Sequence, residues 1–138
     1  MDEPVYLTLE EVIEAHRFIS ERTGSPPCPL LRPDTLDSAL NRPRNAAYYE
    51  GADLVAQAVA LAVGISQAQA FEDGNKRAAF AAADVFLRFN GLVFEGDDLE
   101  FARRLEEIAD SDRSRRDGVA EAFANWLREN VRGAPPAY

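Results

Sequence analysis

No proline interrupts the chain between Pro43 and Pro135. Proline in a helix interior removes a hydrogen bond and clashes with the preceding turn, so this long span is free to be helical throughout. Apolar residues recur in it at helical spacing. Leu54 to Gln69 carries Leu54, Val55, Ala58, Leu61, Ala62 and Ile65, a stripe wide enough for a central helix. Asn75 to Asn90 carries Ala78, Ala79, Phe80, Ala82, Ala83, Val85, Phe86, Leu87 and Phe89. Small residues beside large ones suit two helices packed closely together. The expectation is an all-α bundle of about six helices around this central pair.

The other elements follow from local signals. Residues 1–7 read as a short extended lead-in. Thr8-Leu9-Glu10-Glu11 fits a capping box, with Thr8 as N-cap and Glu11 at the third helical position. A helix to about Arg22 follows, with Leu9, Val12, Ile13, His16 and Ile19 on its apolar face and Gly24 as its stop. His16 is then either a core histidine or a base facing a site. Ser25 to Pro33 is proline-rich and reads as an ordered loop holding the single cysteine, Cys28. Asp34 to Asn41 reads as a short helix, and Arg42 to Gly51 as a loop whose Tyr48-Tyr49 pair either borders a groove or packs down on the helices. Gly64, inside the first central helix, suggests the close approach of another backbone. Asn90-Gly91 ends the second, and Val93-Phe94 reads as an extended piece. Asp97 or Asp98 caps a helix to about Asp110, with Leu99, Ala102, Leu105 and Ile108 or Ala109 inward. Ser111 to Gly118 reads as a polar link, and Val119 to Val131 as a last amphipathic helix. Residues 1–131 are expected to form a single domain, and 132–138 a disordered tail.

Composition narrows the function. The net charge of −9, from 24 acids and 15 cations, argues against a general nucleic-acid binder, which presents a basic face. One cysteine and one histidine leave no disulfide framework and no cysteine- or histidine-rich metal site. No apolar run reaches the length of a membrane span, and the opening residues carry no signal-peptide pattern, so a cytoplasmic, soluble protein is expected.

The chemistry concentrates between the central helices, in Phe71-Glu72-Asp73-Gly74-Asn75-Lys76-Arg77. This turn opens the second helix, where backbone N–H groups lack partners and the helix dipole is positive. Such an end binds anions, phosphate above all. Lys76 and Arg77 add full charges there. Fourteen of the fifteen cations are arginine, and Lys76 is the one lysine. A lysine ammonium approaches a phosphate end-on, as a point charge.

Gln69-Ala70-Phe71-Glu72-Asp73-Gly74-Asn75-Lys76-Arg77, followed by Phe86-Leu87-Arg88-Phe89-Asn90-Gly91, resembles the Fic/Doc family, and within it the death-on-curing type. Leu36 to Pro43, Tyr48 to Leu54 and His16 extend the likeness, which covers roughly residues 7–91. The resemblance implies a helical fold with a small loop or hairpin flap over the site. It implies transfer of a phosphate-containing group from ATP, or another nucleoside triphosphate, to a protein hydroxyl. Doc-type members resemble kinases that phosphorylate a translation elongation factor and act as toxins held by an antitoxin. Classical Fic members transfer AMP and carry glycine where Lys76 stands. By position, Asp73 would hold Mg²⁺, Gly74, Asn75, Lys76 and Arg77 would bind phosphate oxygens, and Phe71 would anchor the turn in the core.

One departure matters. The family's catalytic histidine position holds Gln69, and the neighbouring proline position holds Ala70. An amide donates and accepts hydrogen bonds but does not take up a proton near neutral pH. Losing a general base costs about 10²–10⁴-fold in rate. Phosphate and metal binding do not need that base. The expectation is impaired transfer. The alternatives are a nucleotide- or partner-binding module, a kinase or AMP-transferring enzyme that uses another base such as Glu72 or a flap residue, and a toxin silenced by substitution.

Overall fold

The computed structural model describes residues 3–26 and 28–135. Among them are seven helices and two short strands. In chain order these are α1 (Leu9–Arg22), α2 (Pro33–Ala39), α3 (Arg42–Glu50), α4 (Leu54–Ala68), α5 (Asn75–Phe89), β1 (Leu92–Phe94), α6 (Asp98–Asp110), α7 (Arg113–Arg128) and β2 (Val131–Gly133). The bundle is all-α, as the periodicity predicts. No helix among the described residues is long and apolar enough to cross a membrane.

Local chemistry starts the long helices where the sequence places their caps. Thr8 and Glu11 make the reciprocal capping box on α1. The Asp53 carboxylate accepts from the Ala56 N–H to open α4, and Asp97 accepts from Leu99 N–H to open α6. Asp112 caps α7 through Arg115 N–H, at a start earlier than the Val119 expected from the sequence.

The core forms around α4 and α5. Ala58, Leu61, Ala62 and Ile65 of α4 and Ala78, Ala79, Ala82, Ala83, Phe86 and Leu87 of α5 are buried. The alanines let the two backbones approach, and Leu61, Ile65, Phe86 and Leu87 fill the core around them. Gly64 sits where a Cβ would lie 2.9 Å from Arg42 Cδ and 3.4 Å from the Ala39 carbonyl oxygen, so it admits the α2–α3 joint. A second cluster of edge-to-face rings joins α5, β1, α6 and α7, with Phe101 centroids 5.0 Å from both Phe80 and Phe123. The extended lead-in is fixed by Asn90, whose side chain accepts from Val5 N–H at 2.7 Å and donates to Val5 O at 2.9 Å. Residues 1–2 of that lead-in lie outside the described residues.

Five expectations are corrected or settled. Arg42 to Gly51 is not a loop: Pro43 occupies the first turn of α3, where a missing N–H breaks no helical bond. Tyr48 and Tyr49, on that helix, are 81% and 78% exposed and pack edge-on against each other, not on the helices. Ser111 to Gly118 is not a link, since α7 starts at Arg113 and runs through Gly118. Leu99 does not point inward and is 79% exposed, because α6 turns on Phe101, Leu105 and Ile108. Leu99 lies two residues, about 200°, from Phe101 around the helix. Finally, Arg132 and Gly133 are not a frayed tail. They belong to β2, which pairs antiparallel with β1 through Leu92↔Gly133, Val93↔Arg132 and Phe94↔Val131, and Arg132 pairs with Glu95. Residues 136–138 of the expected tail lie outside the described residues.

Candidate functional site

The turn from Gln69 to Gly74 carries the chain from α4 into α5. Gln69 ends α4 in the left-handed region (φ 48°), the one non-glycine residue with positive φ among the described residues. Its side-chain amide donates to Ser66 O at 2.6 Å, and its carbonyl accepts from Arg32 Nη1 at 2.6 Å. Ala70 and Phe71 are buried. Phe71 stacks on His16, with ring centroids 4.0 Å apart and 14° between planes.

The loop between α1 and α2 runs beside this turn. Leu30 bridges Phe71, Leu31 N–H donates to Ala70 O at 2.7 Å, and Glu72 N–H donates to Pro29 O at 3.1 Å. Cys28 meets Asp73 twice: its thiol donates to Asp73 O at 3.0 Å and its sulfur accepts from Asp73 N–H at 3.2 Å. His16 Nε2 lies 3.2 Å from the same Asp73 oxygen. His16 is therefore a buried support of the turn. Burial pushes its pKa below the ordinary 6.5, the Arg77 charge pushes the same way, and the hydrogen bond to Asp73 opposes both.

Gly74 begins α5 at φ 76° and offers no side-chain cap. The other helices of 13 residues or more, α1, α4, α6 and α7, all have a Thr or Asp acceptor at that position. The α5 N-terminus is thus left open to an external acceptor. A Cβ on Gly74 would lie 2.8 Å from Arg77 Nη2 and 2.9 Å from His16 Nε2. The Arg77 guanidinium lies over this end, 3.8 Å from the Asp73 carboxylate, and its Nε is buried without a partner.

The remaining motif side chains divide. The Asp73 carboxylate is 84% exposed, and its pairing with Arg77 is loose at 3.8 Å, so it is accessible to a ligand. Asn75 turns back on the loop, accepting from Phe71 N–H and donating to Phe71 O, both at 3.0 Å. This engages its side chain in holding the turn. Lys76 Nζ pairs with Glu106 of α6 at 2.6 Å, with both side chains about half-exposed. Among the described residues no group of three or more His, Cys, Asp or Glu is arranged to hold a metal by itself. A single exposed carboxylate still fits Mg²⁺ that arrives on phosphates, since that ion is commonly held by one or two carboxylates plus the phosphate oxygens. Three larger clefts, of about 670, 520 and 400 Å³, lie elsewhere and do not include the motif side chains.

Phe71, Asp73, Gly74 and Arg77 lie together where α5 begins. Cys28 and Arg32, both tied to the turn, are absent from the site expected from the sequence. Nothing in the spacing links either to residues about forty positions away. Compared with known families, residues 6–87, more than half of the chain, match the model of the Fic/DOC family. No curated protein matches the chain.

Proposed function

Since this chain belongs to the Fic/DOC family, we propose that its α5 N-terminus grips the phosphates of a nucleoside triphosphate, ATP in the first instance, for transfer to a protein hydroxyl. The observation that carries this reading is the uncapped α5 end, opened by left-handed Gly74 and covered by Arg77 with its orphaned Nε. Unpaired helix N–H groups and a guanidinium together favour a phosphate. Asp73 would hold Mg²⁺. When bound, that ion would bridge phosphate oxygens and offset the charge that develops on them. Lys76 would exchange Glu106 for a phosphate oxygen. A half-exposed ion pair of this kind is worth at most about 1 kcal/mol, so little opposes the exchange. Asn75 would contribute its backbone N–H.

Lys76 favours phosphoryl transfer of the Doc type over AMP transfer, because its side chain fills the place that a classical Fic motif leaves to glycine. With this reading come a protein substrate such as a translation elongation factor and an antitoxin partner, both resting on the family alone. Gln69 makes the transfer slow. Its amide is turned onto Ser66, and losing a base of this kind raises the barrier by about 3–5 kcal/mol. That same feature favours a second reading, a nucleotide- or partner-binding module without chemistry.

Incubation with γ-labelled ATP and bacterial lysate separates the two. Weak labelling that vanishes in Asp73→Ala, and rises about 100-fold or more in Gln69→His, supports the transferase. Gln69→His should be tried without Ala70→Pro, because proline biases the residue before it toward extended geometry, whereas Gln69 is left-handed. Mg²⁺-dependent ATP binding with no labelling in either variant would favour the binding module. No ATP binding by calorimetry would remove the transferase and the nucleotide-binding module, and leave only a partner-binding role.

A further inference from the structure

Behind the motif turn lies a recess of about 120 Å³ whose walls include His16, Ser20, Cys28, Leu30 and Phe71. Ser20 is 3% exposed, and its Oγ has no hydrogen-bond partner. Buried hydroxyls are nearly always bonded, so this one marks a place for a small polar molecule. Cys28 stands on the same recess, half-buried, with its sulfur on both the N–H and the C=O of Asp73. Hydrogen peroxide has about the bulk of two waters and fits such a volume.

We propose that Cys28 is an oxidation site for hydrogen peroxide, that the sulfenic oxygen formed there lodges in the recess on Ser20 Oγ, and that this releases the Asp73 peptide. The Cys28 sulfur attacks one peroxide oxygen, forming an S–O bond as the O–O bond breaks. Sulfur is oxidised by two electrons and the peroxide is reduced. The thiol proton goes to the departing hydroxide, leaving water and Cys–SOH. The S–H that bonded Asp73 O is gone, and the recess that Cys28 lines offers room for the oxygen added to sulfur. Asp73 O then keeps His16 as its support, and its N–H loses the sulfur. The motif turn loosens at the residue next to Gly74.

The test uses the full chain. Peroxide is added in the presence of dimedone, and peptides are mapped by mass spectrometry. Cys28 is the single cysteine, so an adduct has one origin. In parallel, hydrogen exchange is followed across residues 70–77 after peroxide alone. A native-state adduct and about fivefold faster exchange at the Asp73 amide are expected, the factor for losing one hydrogen bond of ordinary net strength. Ser20→Ala, which removes the oxygen's partner, should shorten the life of the sulfenic acid several-fold. Absence of an adduct in folded protein, while urea-unfolded protein reacts, overturns the site. An adduct with unchanged exchange overturns the release, and an unchanged lifetime in Ser20→Ala overturns the place given to the oxygen. None of these readouts involves nucleotide, so they stand or fall apart from the transferase reading.

Discussion

Replacing Gly74 with alanine tests how the motif turn is held. At φ 76° an L-residue is strained by about 1–2 kcal/mol. The added Cβ also meets two groups of different stiffness. Arg77 Nη2, at 2.8 Å, is the end of a flexible side chain and swings away cheaply. His16 Nε2, at 2.9 Å, belongs to a buried ring stacked on Phe71 and yields only by losing its contact with Asp73 O. That contact is worth about 1 kcal/mol. The smaller freedom of an unfolded alanine returns about 0.5–1 kcal/mol. The sum is a loss of about 2 kcal/mol, a melting temperature lower by about 6 °C for a chain of this length. Gly118→Ala is the control. Gly118 is inside α7, and a Cβ there meets nothing within 4 Å, so alanine should stabilise by about 1 kcal/mol through helix propensity. Urea titration followed by circular dichroism reads both. A Gly74→Ala effect within about 0.5 kcal/mol of zero, ordinary for a surface substitution, would refute the account of a turn pinned by His16.

Three further outcomes follow from the same geometry. His16, the single histidine, is held neutral by burial with its pKa below 6.5, so the unfolded chain takes up its proton first as pH falls. Its contribution to stability is whole above pH 6.5 and declines below it. Urea midpoints measured from neutral to mildly acidic pH should fall less steeply in His16→Gln, and equal slopes would sink the assignment. Asp53 both caps α4 and accepts two bonds from Arg128 at 2.9 and 3.0 Å, and that pairing chiefly lowers its pKa below 3.8. Asp53→Ala should cost about 1 kcal/mol, Asp53→Asn less, and the wild-type advantage over Asn should fade as acid protonates the carboxylate. A double-mutant cycle on Lys76 and Glu106 should give a coupling below about 1 kcal/mol. A larger value measured by denaturation would mean that Lys76 is not free to leave Glu106 for a phosphate.

The parts of this protein set by near neighbours were legible in the chain itself. Caps at Thr8 and at Asp97 or Asp98 act across two or three residues, and the apolar faces of α4 and α5 repeat every turn, so sequence order alone placed them. The motif turn with Asp73, Gly74 and Arg77 was legible for the same reason. Proline and glycine misled where their setting was unknown: Pro43 is harmless in a first turn, and Gly118 is carried by the rest of α7.

What only the tertiary structure decided are the contacts between residues far apart in the chain. Asp73 is supported by His16, 57 positions away, and by Cys28, 45 away. Asn90 ties down Val5 across 85 positions, and β1 finds β2 only after α6 and α7 have turned the chain back. Such contacts form when a whole fold closes, and no local spacing encodes them. The sequence therefore determined that a positive helix end exists between two central helices. Packing of α1 and its loop against that end decided how rigidly it is held, which side chains stay free, and which are already engaged.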